Sequence, residues 1–198
     1  MAPAPLKDAF ERRKPLLRKW VAEHPLQQIQ WEATRRCDMA CVHCGSDCGS
    51  GSSEGSELTG DEVVDAFDAI SQWRSPRDIE LVAITGGEPL LRDDLVDIVS
   101  ALRDRGFSHI SLQTNGNRLL VRPELIDKLH EAGVTGMGLN LDGLARDHDT
   151  LRNRLGHFSD MVRLVSELRR RAGLYVTITS VVSRLNIQSL DSLGETID

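Results

Sequence analysis

The chain has 198 residues, 40% hydrophobic and 27% charged, enough for one domain with a core of its own. Its formal net charge of -6 gives no reason to expect nucleic acid or an anionic membrane surface as a nonspecific partner. No apolar stretch approaches the ~20 residues of a membrane span, and residues 1–10 hold no apolar run of signal-peptide length, so a cytoplasmic location is expected. In that reducing compartment the four cysteines read as ligands or catalysts before they read as disulfides.

Leu6, Phe10, Leu17 and Val21 suit an amphipathic helix interrupted or restarted at Pro15, within an N-terminal helical extension over residues 1–26. Its basic run (Lys7, Arg12, Arg13, Lys14, Arg18, Lys19) suits a solvated helix face, with a docking strip for a peptide or partner as the sharper alternative. A core domain is expected over residues 27–198, opening with a strand at 28–33. Nine of the twelve residues 45–56 are Gly or Ser, which predicts a mobile loop unless something binds it. Thr59 and Glu62 have capping-box spacing and open a helix through Val63, Phe67 and Ile70 to about Trp73. The apolar run 79–84 suits a buried strand. A helix over about 93–105 closes on Gly106; Arg92 ahead of it is expected in a surface salt bridge, with a place facing the site as the alternative. A strand at 109–113 follows, then a helix opened by Pro123 and ending near Gly133. Residues 134–140 form a glycine-rich strand, 158–171 a helix stopped by Gly173, and 175–182 a β-branched fifth strand. A last helix begins near Asn186 and is still in progress at Asp198, so a fragment of a longer protein is expected.

Strands alternating with helices predict right-handed βαβ units and a parallel sheet, either doubly wound or curved into part of a barrel. Functional groups in both architectures gather at the carboxyl ends of the strands. Four such ends carry distinctive residues: the cysteine loop, then Gly86-Gly87-Glu88-Pro89, then Thr114-Asn115-Gly116, then Asn140-Leu141-Asp142-Gly143.

Cys37, Cys41 and Cys44 offer three thiolates within eight residues. Three cysteines on a four-iron cubane leave one iron with an open position, the mark of a centre that does chemistry. Zinc is the alternative, since Cys48, His43 and His24 are near in sequence. Structural zinc sites, however, usually pair two knuckles across a longer stretch, whereas all cysteines here fall within twelve residues.

The segment Trp31-Glu32-Ala33-Thr34-Arg35-Arg36-Cys37-Asp38-Met39-Ala40-Cys41-Val42-His43-Cys44-Gly45 resembles the cluster-binding segment of the radical S-adenosylmethionine (SAM) superfamily. The later motifs follow in the family's order, and the resemblance covers residues from about 27 to about 190. It implies an α/β fold, a partial (β/α)6 TIM-like barrel, here cut short after the fifth strand. It also implies a [4Fe–4S] cluster on Cys37, Cys41 and Cys44 whose open iron chelates the amino and carboxylate groups of SAM. Reductive cleavage of SAM then yields a 5′-deoxyadenosyl radical that takes a hydrogen atom from substrate. An electron donor such as flavodoxin or ferredoxin goes with that chemistry.

By the same resemblance, the backbone at Gly86 and Gly87 together with Glu88 meets the SAM ammonium. Glycines there let a backbone approach a ligand closely, or simply make a sharp turn. Thr114 and Asn115 reach the site from the third strand. Asn140, where the family often has Ser, and Asp142 are candidates for the SAM ribose or carboxylate, although Asp142 is equally suited to orienting the turn at Gly143. His43 packs near the adenine. His148, Arg152, Gly156 and Phe158 echo a stretch found after the fourth strand, although Asn153 stands where Gly commonly follows the Arg. Cys48 reads as a spare thiol or a substrate contact.

The Trp-Glu-x-Thr start and His-Cys-Gly end suggest the branch holding SPASM-type peptide maturases and related haem-biosynthesis enzymes. The expected substrate is a ribosomally made peptide. The alternatives are a tetrapyrrole, sugar or other small molecule and, from another class, a zinc-binding interaction module without catalysis.

Overall fold

The computed structural model describes residues 19, 23–46, 48 and 57–197. All of the helix expected over 6–21 except Lys19, and most of the Gly/Ser stretch, therefore lie outside the described residues. Five parallel strands, β1 (Gln28–Glu32), β2 (Leu81–Thr85), β3 (Ile110–Gln113), β4 (Val134–Asn140) and β5 (Tyr175–Thr179), stand in the order in which the chain makes them. Helices α1 (Gly60–Ser71), α2 (Leu95–Asp104), α3 (Asn117–Val121), α4 (Glu124–Ala132), α5 (Ala145–Arg152), α6 (His157–Leu168) and α7 (Leu190–Ile197) fill the intervals after them. A doubly wound sheet reverses its strand order at a switch point, and this one advances without reversal. With crossovers of one hand, the helices then share one face and the sheet is part of a barrel.

Period-two alternation sends Val82, Ile84, Ile110, Leu112, Met137 and Leu139 to the helical face, where all are buried. Helix α1 starts where the capping box expects it: Glu62 N donates to Thr59 Oγ1 at 3.3 Å, and Thr59 N donates back to Glu62 Oε2 at 2.9 Å. Its Phe67 meets Phe107 edge to face with centroids 5.2 Å apart, joining α1 to the loop after α2.

Three expectations shift for identifiable reasons. Strand β5 stops at Thr179 because Ser180 donates its hydroxyl to Leu141 O and Val181 N donates to Asp142 Oδ1 at 2.9 Å, which turns the chain away from the ladder. Helix α7 starts at Leu190, four residues later than expected. Asn186 anchors the preceding loop instead, with Nδ2 donating to Asp142 O at 2.6 Å and Val181 O at 2.8 Å.

Arg92 is the third, and it is no surface residue. It is 8% exposed, with Nη1 donating to Ala33 O and Leu58 O, both at 3.0 Å. Its Nε and Nη2 fork onto Asp94 at 2.9 and 2.7 Å, and its guanidinium lies 5.5 Å from the Trp31 ring centroid. One side chain thus joins the start of the cysteine loop, the approach to α1 and the start of α2. Replacing Arg92 by Ala leaves two inward carbonyls without donors and is expected to lower unfolding free energy by about 2–4 kcal/mol in urea melts. Arg92→Lys should recover only part of that loss, because an ammonium cannot serve both the fork and the carbonyls.

Candidate functional site

The cysteine loop leaves β1 and is met at once by the exit of β2. Ala33 N donates to Thr85 O at 2.9 Å, Gly87 N to Thr34 O at 2.6 Å and Glu88 N to Arg36 O at 2.8 Å. A Cβ on Gly86 would fall 2.5 Å from Thr34 O, and one on Gly87 2.2 Å from Arg36 O. Gly86 also has φ 132°, which disfavours any side chain. The close backbone approach expected at these glycines is therefore made to the chain's own cysteine loop. Glu57 Oε1 accepts from Thr34 Oγ1 at 2.6 Å and from Arg35 N at 3.1 Å, pinning the loop's base from the other side.

Glu88 is enclosed. Its Oε1 accepts from Thr114 Oγ1 at 2.8 Å and Leu90 N at 3.0 Å, and its Oε2 accepts from Asn115 N at 2.8 Å. Burial pushes this carboxyl up to about 7, against three donors that favour the anion. The side chain joins the ends of β2 and β3 and so sets where Asn115 points. Asn115 Nδ2 donates to Asp38 Oδ1 at 2.7 Å and lies 3.9 Å from Cys37 Sγ, while Asn117 Nδ2 donates to Asp38 Oδ2 at 3.3 Å.

Asp142 plays the matching part at β4. Its fully buried carboxylate accepts from Arg152 Nε at 2.7 Å as well as from Val181 N, with His43 Nε2 at 3.6 Å. Through these bonds Asp142 ties the segment after β5 to the end of β4 and aims Arg152. Arg152 Nη1 lies 3.8 Å from Cys41 Sγ, and its buried Nη2 has no hydrogen-bond partner among the described residues. The carbonyl of Leu151, next to it on α5, accepts from Val42 N at 2.9 Å and faces His43 Nδ1 at 3.3 Å.

A histidine pair closes the ring between β4 and β3. Asp142 N donates to His148 Nδ1 at 3.0 Å, so the His148 proton is on Nε2 and points to His157 Nδ1 at 2.8 Å. His157 in turn carries its proton on Nε2, 3.1 Å from Asn115 O. Both rings are neutral in this arrangement. Burial, helped by the neighbouring His157 and Arg152, lowers His148 to about 4, and burial also lowers His157.

All four cysteines line one cavity of about 180 Å³, with His43, Asn140 and Arg152 beside them and Gly86, Gly87, Thr114 and Asn115 at its edge. Of the expected site residues, Glu88 and Asp142 do not line it. Cys48, expected as a spare thiol of an open loop, is buried, with Sγ 3.7 Å from Ser46 O. Burial pushes the thiols of Cys37 and Cys41 up, so a metal taking them must displace protons. The reading of the sequence missed the Asp38 anchor and the histidine pair. A usable signal existed for part of this, since His148 and Arg152 are four apart on one helix and share a face.

A sequence profile of the radical SAM superfamily matches residues 31–197. The AdoMet-dependent heme synthase of Methanosarcina barkeri is 33% identical over 168 residues, which is 84% of this chain and 46% of that protein. The mycofactocin maturase MftC of Mycolicibacterium smegmatis is 31% identical over 170 residues, 84% of this chain and 40% of that protein. The chain thus spans less than half the length of these curated relatives. Among solved structures, Streptococcus suis SuiB bound to precursor peptide SuiA superposes with a TM-score of 0.69 at 14% identity, covering 98% of this chain and 42% of that one. That likeness concerns the fold. No helix among the described residues is long and apolar enough to cross a membrane.

The histidine pair has a consequence for stability. His148 is held neutral in the fold but takes a proton near 6.5 when unfolded, so its contribution is complete above about 6.5 and is lost as pH falls toward about 4. Between pH 7.5 and 5 the native chain should lose about 2 kcal/mol more unfolding free energy than a His148→Gln variant, read from paired urea melts.

Proposed function

Because the chain belongs to the radical SAM superfamily, we propose that Cys37, Cys41 and Cys44 hold a [4Fe–4S] cluster and that the cavity beside them binds SAM. The observation that carries this reading is the orphaned, buried Arg152 Nη2 in a cavity walled by all the cysteines. A buried guanidinium nitrogen without an acceptor calls for an anion, and the carboxylate of SAM's methionine moiety supplies one. The thiols share a cavity, yet among the described residues no three His, Cys, Asp or Glu side chains converge closely enough to hold a single ion. Bound there, the cluster supplies the electron that cleaves SAM to a 5′-deoxyadenosyl radical.

The chain's own residues then have distinct tasks. Arg152 Nη1 and Asn115 Nδ2, close to the sulfurs of Cys41 and Cys37, place donors and one positive charge beside the thiolates and favour the reduced state. Asn140 and His43 face SAM from the β4 side, and the backbone at Gly86 and Gly87 with Thr114 bounds it from β2 and β3. Glu88 and Asp142 act at one remove, by aiming Asn115 and Arg152. An acidic low-potential protein of the flavodoxin or ferredoxin kind is the proposed electron donor, and a reducing cytoplasm the compartment such a cluster needs.

The substrate we favour is a ribosomally made peptide, supported by the similarity to a mycofactocin maturase. A tetrapyrrole is the second reading, supported by the similarity to a heme synthase.

Anaerobic reconstitution with iron and sulfide, then dithionite and SAM, should yield 5′-deoxyadenosine from the native chain and none from Cys41→Ala. Arg152→Met should weaken SAM binding about tenfold, the loss of roughly one charge-assisted hydrogen bond. Uptake of zinc with sulfur ligation and no uptake of iron would overturn the reading.

A further inference from the structure

The face of the sheet away from the helices is not packed like a core. Register sets Glu32 beside Thr85 on β2, and Gln113 beside Gly138 on β4 and Thr177 on β5, in one row across the barrel's concave side. Thr85 and Gln113 in this row also line the cysteine cavity, so a group lying along it would sit next to the reacting centre. A Cβ on Gly138 would fall 2.0 Å from Gln113 Oε1. The glycine therefore makes room for the Gln113 amide, whose Nε2 donates to Ser111 Oγ at 3.5 Å and whose second N–H and Oε1 add a donor and an acceptor to this face. The row below runs Gln30, Ala83, Ser111, Gly136 and Tyr175, again with an amide, a hydroxyl and a glycine among them.

Among the strand residues of this face Glu32 alone is charged. It is exposed, and no ion pair or hydrogen bond involves its carboxylate among the described residues. We infer that the concave face takes a neutral, amide-bearing chain with one cationic group, an amine or guanidinium, that pairs with Glu32. The amide and hydroxyl rows match the donors and acceptors of a peptide backbone, and the carboxylate fixes which side chain can stand beside the radical. A polycarboxylate such as a porphyrin finds no cation on these strands and meets Glu32 with like charge, which disfavours it. This inference rests on the cavity being the radical site, and it deepens that reading by naming what the site selects.

The test uses the reconstituted full chain with SAM and three probes. Two are short blocked Gly/Ser peptides differing only in a central Lys or Glu, and the third is coproporphyrin III. Equilibrium binding should favour the lysine peptide over the glutamate peptide by about tenfold or more. Glu32→Gln should abolish that preference and Glu32→Lys should reverse it, with SAM affinity and melting temperature unchanged in both. Equal binding of the two peptides, binding of neither, or tighter binding of coproporphyrin III would overturn the inference. Loss of SAM affinity in Glu32→Gln would also overturn it, by assigning the carboxylate to the cofactor. Failure of the underlying reading shows separately, as no 5′-deoxyadenosine from the native chain with SAM and dithionite alone.

Discussion

Two peptide units at the exit of β2 lie directly against the base of the cysteine loop, with Gly87 N on Thr34 O and Glu88 N on Arg36 O. The contact is backbone on backbone, and the space at Gly86 and Gly87 admits no Cβ. A side chain there would push apart the two segments that the site must hold together. The loop's position is thereby tied to the β1–β2 ladder, whose last pair is Glu32 with Thr85. Three sulfurs on a loop inherit the rigidity of a sheet, which is what a metal centre with defined geometry requires. Arg92 and Glu57 reinforce the same joint from the helical side and from the approach to α1.

Around that joint the strand ends are linked by buried polar groups. Glu88 spans β2 to β3, Asp142 spans β4 to the segment after β5, and the His148–His157 pair spans β4 back to β3. A buried carboxylate or imidazole is costly unless each lone pair and proton is answered, and here most are. The two kinds of group respond to pH with opposite sign. Glu88 is raised to about 7, so its contribution is complete below the unfolded carboxylate range and is lost as pH rises through about 7. His148 is lowered to about 4, so its contribution is lost in the other direction. Part of the pH dependence of each therefore cancels between about 4.5 and 6.5. Of the two buried side-chain donors left without a partner among the described residues, Arg74 Nε and Arg152 Nη2, the second belongs to a residue that lines the cysteine cavity.

What the sequence made legible was local. The capping box at Thr59 and the bounds of β4 are set by neighbours within a few residues, and both stand where the pattern puts them. The four motif-bearing strand ends do lie together, because parallel strands with short exits leave no alternative. Winding direction was legible only through the motifs and the partial barrel their resemblance implied, since periodicity reports which face is apolar and not which neighbour a strand takes. Arg92 beside two aspartates reads as surface, but its burial is decided by carbonyls 59 and 34 residues away. His148 and His157 stand nine residues apart across the left-handed Asn153, φ 52°, so no helical spacing anticipates their contact. Glu88 and Asp142 were recognisable as important residues but not as interior ones, because enclosure is a property of the assembled strand ends.

The two faces of the sheet differ sharply in composition. In a closed, fully packed (β/α)8 barrel the interior is filled with branched side chains in layers. Here the interior positions of β4 are Gly136, Gly138 and Asn140, and those of β3 are Ser111 and Gln113. Glycine within a strand forfeits roughly 0.5–1 kcal/mol through backbone entropy and leaves no side chain to pack. That loss is offset on the other face, where Met137 and Leu139 alternate with the same glycines and are wholly buried under the helices. Stability is thus drawn from one face of each strand and the other is left polar and open. A chain folded in this way takes its stability from the helical face and leaves glycines and polar side chains on the face beside the cysteines.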